Sequence, residues 1–286
     1  MNTEILKNIV HIFTDIDGTL LNDKGEPGTE SKRLLIELMK ENVIVSMVTG
    51  RVHSAVTELA KELSLNGYII SLDGALIKSF ADDRILYKSN LRTHHVKKAI
   101  KLSEENLVNI VLCHDSAIYY TEYNSVIPSL LSKYGASYTL VDSYKNYVAG
   151  TMEVVCSSDM KDSVKKIEEK FNFPYSIGCS TSYFRSKKNE NIFYLEIRKM
   201  GSSKGKAVNR ILRHESVKTK QAAVIGDWYN DISMFRTNTI KVAVANAIPE
   251  LLHLADFVTA KSSREDGVAE FFEMVLKSKR NRNGKN

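Results

Sequence analysis

Residues 12–21 read IFTDIDGTLL. A run of apolar and β-branched residues leads straight into Asp15, then Asp17, then Gly18. Alternation along a strand sends residues i and i+2 to the same side, so the two acids should face each other. Like charges that close are unfavourable unless a positive group sits nearby. The stretch therefore predicts a buried strand that delivers carboxylates to its end, and a cation beside them.

Two other stretches repeat the design. VSMVTGR, residues 45–51, is an apolar run ending in Thr49, Gly50 and Arg51, and AVIGDWYND, residues 223–231, ends in Asp227, Asn230 and Asp231. In open parallel sheets, ligands bind at the carboxyl ends of the strands. If the three strands are neighbours, Asp15, Asp17, Thr49, Asp227 and Asp231 converge. A hard cation with oxygen ligands would make such a site tolerable, and Mg²⁺ combines few carboxylates with waters and often a phosphate. Gly18, Thr19 and Gly50 lie in tight turns whose N–H groups suit an anion. Lys204, in SSKGKA, opens a helix, where the dipole disfavours an ammonium. A phosphoryl group or a carboxylate nearby would account for it. Each residue also has a plainer reading. Asn230 or Asp231 suits a helix N-cap, Thr49 an ordinary strand end, Lys204 a solvated lysine, and Arg51 the surface.

The flanking sequence alternates strand and helix. Residues 30–41, ESKRLLIELMKE, have helical apolar spacing at Leu34, Leu35, Leu38 and Met39, and GYIISLDGALI, residues 67–77, is a strand that turns at Asp73 and Gly74. Such alternation predicts βαβ units and a parallel sheet. From about residue 81 to 197 the strands look paired and amphipathic. YFRSKKNENIFYLEIRK, residues 183–199, is a hairpin with a polar turn at 188–190, and HHVKKAIKLSEEN and DMKDSVKKIEEKF are helices. The alternation returns from residue 198. The expectation is an α/β protein with a Rossmann-like parallel-sheet core in two segments, 1–80 and 198–286. An inserted α+β domain, 81–197, interrupts it.

A chain of 286 residues is longer than one core comfortably holds. No apolar run is long enough to cross a bilayer, and the N-terminus lacks the pattern of a signal peptide. Cys113, Cys156 and Cys179 form no CxxC pair and no zinc pattern, which predicts thiols in a reducing cytoplasm. Of the net charge of +6, five positive residues lie in KSKRNRNGKN, residues 277–286. This predicts a disordered basic tail from about 277 and a nearly neutral body, so neither a nucleic acid nor a membrane is expected as partner. The histidines show no metal spacing, and His94 and His95 are expected to be exposed. Tyr119, Tyr120 and Tyr123 are expected to pack, and Tyr183, Arg185, Lys187 and Lys188 to be solvated around the hairpin.

DIDGTL, VTGR, SKGKAV and GDWYND, in that order, resemble the four motifs of the haloacid dehalogenase (HAD) superfamily phosphatases. The insertion between the second and third resembles the C2-type cap of the Cof-type (IIB) sugar-phosphatase subfamily. The resemblance implies a cytoplasmic Mg²⁺-dependent phosphomonoester hydrolase acting on a small molecule, a sugar phosphate or a phosphorylated cofactor. Asp15 would be the nucleophile that forms an aspartyl-phosphate, and Asp17 the general acid and base. Mg²⁺ would be held by Asp15, the main-chain oxygen of Asp17 and Asp227, with Asp231 in or behind them. Thr49 and Lys204 would hold the transferring oxygens, with Gly18, Gly50, Arg51 and Asn230 completing the phosphate and substrate contacts. An acid at position 17 favours turnover over storage of the intermediate. A phosphomutase and a non-catalytic phospho-ligand binder are the alternatives, separated by release of inorganic phosphate. Asp73 stands where such relatives commonly have Asn, which bears on how that loop meets substrate.

Overall fold

The computed structural model describes residues 3–125, 137–186 and 191–283. The turn of the 183–199 hairpin, with Lys187 and Lys188, lies outside the described residues. The chain forms two compact units, one within 1–50, 58–86 and 203–286, the other within 51–57 and 87–202.

In the first unit, β1 (His11–Asp15) is buried along its whole length, as its unbroken apolar run demands for a strand covered on both faces. It lies between β2 (Ile44–Val48) and β12 (Ala222–Gly226), parallel to both. Parallel β3 (Tyr68–Ser71) follows β2 on one side, and β13 (Ile240–Ala243) and β14 (Phe257–Val258) follow β12 on the other. β4 (Leu76–Ser79), antiparallel to β3, and β5 (Ile85–Lys88) extend the sheet to eight strands. The helix Thr29–Lys40 buries Leu34, Leu35 and Leu38, three of the four positions its spacing picked out. It packs against the helix Val268–Asn283, which buries Phe271, Phe272, Val275 and Leu276.

That last helix corrects the expectation of a disordered tail, because it runs through Lys277, Lys279 and Arg280 to Asn283. Lys277 pairs with Glu273 one turn back, and Arg280 reaches Glu37 at 2.7 Å and Glu41 at 3.7 Å. Lysine and arginine are good helix formers, and cations at a helix C-terminus are favoured by its dipole.

The second unit is a six-stranded sheet in the order β10 (Cys179–Arg185), β11 (Phe193–Lys199), β9 (Glu153–Ser158), β6 (Asn109–Cys113), β7 (Ile118–Tyr120), β8 (Tyr138–Leu140). β10 and β11 form the antiparallel hairpin expected from the sequence. Ile110, Leu112, Val154, Cys156, Leu195 and Ile197 build a core with the helices Thr93–Glu105 and Lys161–Phe171. The alternate positions carry a charge cluster the sequence did not reveal, in which Arg198 pairs with both Glu153 and Glu196, all three buried. His94 is exposed as expected, but His95 is buried. It shares the inner helix face with Val96 and Ala99 and lies edge-on to Phe171. Tyr119 packs on Tyr147 and His114, whereas Tyr123 is exposed rather than packed. The three cysteines are buried thiols.

Candidate active site

The order β12–β1–β2 makes the gap between β1 and β12 the point where the sheet's connections change direction. Ligands of open α/β sheets bind there, outside the carboxyl ends. Asp15 ends β1 in register with Val48 of β2, so Thr49 follows at the same level, and Asp227 follows β12 on the other side. All three are buried.

The positive partner of these acids is Lys204. Its Nζ donates to Asp15 Oδ1 at 2.5 Å and to Asp231 Oδ1 at 2.7 Å. Lys204 is the first residue of the helix Lys204–His214, with Ser203 as its N-cap. An ammonium at the wrong end of a helix dipole is thus explained by two carboxylates. Asp231 is itself fixed, because its Oδ2 accepts from the N–H groups of Asp227 and Trp228, at 2.9 and 3.1 Å. Asp227 Oδ1 accepts from the Thr19 hydroxyl at 2.9 Å, which ties the turn after β1 to the end of β12. Gly18 takes φ +82° in this turn, and a Cβ there would lie 2.6 Å from Asp227 Oδ2, so both backbone and space require glycine.

Carboxylate oxygens of Asp15, Asp227 and Asp231 lie within 4.8 Å of one another, all buried. One ammonium cannot balance three carboxylates. Burial, and then Asp231, push the Asp15 carboxyl well above the usual range, with Asp227 adding to this and Lys204 opposing it. Burial also works against the charge of Lys204, but Asp15, Asp231 and Asp73 outweigh it and hold its pKa above the ordinary value. The donors are all hard oxygens and the cluster is short of positive charge, so the residues present fit a divalent cation such as Mg²⁺.

Asp17 lies two residues beyond the end of β1. Asp17 is exposed and stands outside the buried carboxylate group, and the acids that face Asp15 come from the loop after β12. Arg51 opens the short segment assigned to the second unit. Asn230 is exposed, and its Nδ2 donates to Asp73 Oδ1 at 3.0 Å. Gly50 adjoins this pair, since a Cβ there would lie 3.3 Å from Asp73 Oδ1.

Of two further residues beside the cluster, Asn246 was not singled out from sequence, and Asp73 was noted only as a departure in a loop that bears on substrate. Asn246, beyond β13, donates from Nδ2 to Gly18 O at 2.8 Å and accepts from Ser263 N–H at 2.7 Å. Asp73, beyond β3, donates its N–H to Thr49 O at 3.0 Å. Both follow the carboxyl end of a parallel strand, so the rule that picked out Asp15 and Asp227 finds them too.

The model of the haloacid dehalogenase-like hydrolases matches residues 12–272. The chain belongs to this family. Among this hydrolase's relatives, YxeH of Bacillus subtilis, which carries a provisional phosphatase name, is 29% identical over 93% of this chain and 98% of that protein. The 5-amino-6-(5-phospho-D-ribitylamino)uracil phosphatase YwtE of the same organism is 24% identical over 93% of this chain and 97% of its own. A haloacid dehalogenase-like hydrolase from Bacteroides thetaiotaomicron has the same fold, with a TM-score of 0.83, 22% identity, and coverage of 93% of this chain and 99% of that one. The chain is an enzyme, a phosphatase of this family. Among the described residues no helix is long and apolar enough to cross a membrane.

Proposed function

We propose that this phosphatase hydrolyses a small phosphomonoester, with Mg²⁺ as its metal and Asp15 as nucleophile. The observation that carries the reading is the buried network of Asp15, Lys204, Asp231 and Asp227 at the topological switch point. In the proposed reaction a carboxylate oxygen of Asp15 attacks phosphorus, and the bond from phosphorus to the substrate oxygen breaks. Asp17, on the exposed side of the turn, gives its proton to the departing oxygen. The same carboxylate then takes a proton from water as that water attacks the aspartyl-phosphate, freeing Asp15 and inorganic phosphate.

Lys204 opposes the upward push on the Asp15 carboxyl and holds its oxygen in place, and Thr49 and Lys204 hold the phosphoryl oxygens. Asp15 and Asp227 would bind the metal. Asp231 stands behind them, because its oxygens are already committed to Lys204 and two backbone N–H groups. Bound there, Mg²⁺ would offset the charge of the substrate phosphate, so that one anion can approach another. The resemblance of the inserted segment to a C2-type cap supports a role for the second unit in selecting the leaving group. YwtE acts on a phosphorylated ribityl compound by its name, which supports sugar phosphates and phosphorylated cofactors as first substrates to try. Three buried thiols suit a reducing cytoplasm.

The test is phosphate release from sugar phosphates, nucleotides and pyridoxal phosphate, with Mg²⁺ or with chelator, beside Asp15→Asn. The expected result is release that needs the metal and vanishes in the variant. Release that persists in Asp15→Asn would sink the nucleophile assignment. Transfer to a second substrate position without free phosphate would replace hydrolysis with a mutase reaction.

A further inference from the structure

The turn after β3 is bent in an uncommon way. Leu72, Asp73 and Gly74 take φ of +47°, +48° and +95° in succession. Left-handed backbone is unfavourable for residues with a side chain, and such outliers persist where the surroundings fix them. Leu72 and Asp73 are both buried. Three contacts fix the turn, and each reaches a different part of the proposed site. The Asp73 N–H donates to Thr49 O, Asp73 Oδ1 accepts from Asn230 Nδ2, and Gly74 packs so tightly on Ser203 that a Cβ would lie 2.6 Å from its carbonyl oxygen.

We infer that Asp73 is a positioning residue, which orients the Asn230 amide toward substrate and sets it against the Thr49–Gly50 turn. A carboxylate only accepts, so it obliges the NH₂ end of Asn230 to face Asp73 and turns the carbonyl end away. An amide in that place would leave the choice of end open. Gly50 leaves room for the pair. Asn230 is exposed, whereas Asp15 and Lys204 are buried, so the pair with Asn230 bears on how substrate is held, beside the charge that Asp73 adds near Lys204. The inference rests on the phosphatase reading above.

The experiment compares Asp73→Ala, Asp73→Asn, Asn230→Ala and the Asp73→Ala/Asn230→Ala double variant, with phosphate release as readout. Each alanine variant should raise KM about tenfold, the loss of one charge-assisted hydrogen bond, with kcat little changed. The double variant should be no worse than either single one, because both remove the same interaction. Asp73→Asn keeps an acceptor but neither the charge nor the one-way orientation, and should give a KM between those of the unaltered protein and Asp73→Ala. Multiplying effects in the double variant, or an Asp73→Asn no better than Asp73→Ala, would overturn the proposal. Asp73→Gly suits the positive φ and replaces Asp73→Ala if that variant does not fold. A second readout needs no turnover. The side-chain NH₂ signals of Asn230 in isotope-labelled protein, assigned by their loss in Asn230→Ala, should shift in Asp73→Ala and move only part of the way back in Asp73→Asn. Unchanged signals would overturn the positioning role, whereas absence of phosphate release from the unaltered protein would strike only the phosphatase reading.

Discussion

Lys204 concentrates the energetics of the site in one side chain. It is buried, and it bridges two buried carboxylates with a third close by. Removing one partner of a buried ionic network leaves uncompensated charge and is strongly destabilising. Lys204→Met should therefore lower the stability of the metal-free protein by about 3 kcal/mol, and Mg²⁺ should recover part of the loss. It should also reduce kcat by roughly a hundredfold or more, the scale of losing a preorganised charge that meets the phosphoryl oxygens. Equal denaturant midpoints for variant and parent in chelator would contradict the stability argument. His11 presents the opposite case, a buried base kept neutral. Its Nε2 pairs with Ser46 Oγ at 2.8 Å, its ring stacks on Phe13, and burial pushes its pKa down to about 3. Below about pH 6.5 the unfolded chain takes up a proton that the folded chain refuses. Stability present above that pH is therefore lost as pH falls from about 6.5 toward 3, by about 1.4 kcal/mol per pH unit from this group. His11→Phe should remove that slope from urea titrations between pH 5 and 6.5, at a cost of about 1 kcal/mol at pH 8 for the lost hydrogen bond. An unchanged slope would show that other groups govern acid sensitivity. The acids at the strand ends were legible because a carboxylate closing an apolar run is locally conspicuous. The exposure of Asp17 was not, because it lies beyond the end of β1, which pairing with β2 and β12 decides.

The helix Val268–Asn283 shows how an element escapes a reading by composition. A run of lysine, arginine and asparagine suggests a solvated tail when taken alone. Its first half, however, buries Phe271, Phe272, Val275 and Leu276, and a helix already nucleated by packing extends cheaply through good helix formers. Arg280 then finds Glu37 and Glu41 on the neighbouring helix, and Ser278 turns its hydroxyl back to Met274 O. Deleting residues 277–286 should lower the melting temperature by a few degrees and leave kcat/KM unchanged. The difference in melting temperature should shrink in high salt, because exposed ion pairs are screened. A large fall in turnover with an intact circular dichroism spectrum would place the segment in the function of the enzyme instead. Helices with a clear apolar stripe, such as Thr29–Lys40, were legible throughout, since three-and-four spacing is a local property. Cross-strand features were not. The cluster of Arg198, Glu153 and Glu196 depends on the registers of β9 and β11, which no spacing in the sequence reveals.

At the scale of the molecule, the sequence interrupts one sheet to build another. The break was visible as a change of period, from buried runs separated by helices to paired amphipathic strands. Each sheet has its own reason to persist. The first buries β1, β2 and β12 along almost their whole length, and the second closes an apolar core between one sheet face and two helices. That core draws on residues from Leu91 to Ile197, so the second unit supplies its own hydrophobic interior. Residues 51–57 add a backbone hydrogen bond, Ser54 N–H to Asp115 O at 3.4 Å, a modest term beside that interior. A chain of residues 87–202 alone has the size of an ordinary domain of roughly 100 residues. It should fold, with well-dispersed amide signals and one cooperative unfolding transition. The ion pair of Lys88 and Asp115 is retained in that piece, as is the bond from Leu91 N–H to Thr151 O. Protection of the β6, β9 and β11 amides from exchange would show that the internal core suffices. A collapsed state without dispersion or protection would mean that this core needs the first unit to form, and that the insertion is a domain by contact pattern but not by energetics.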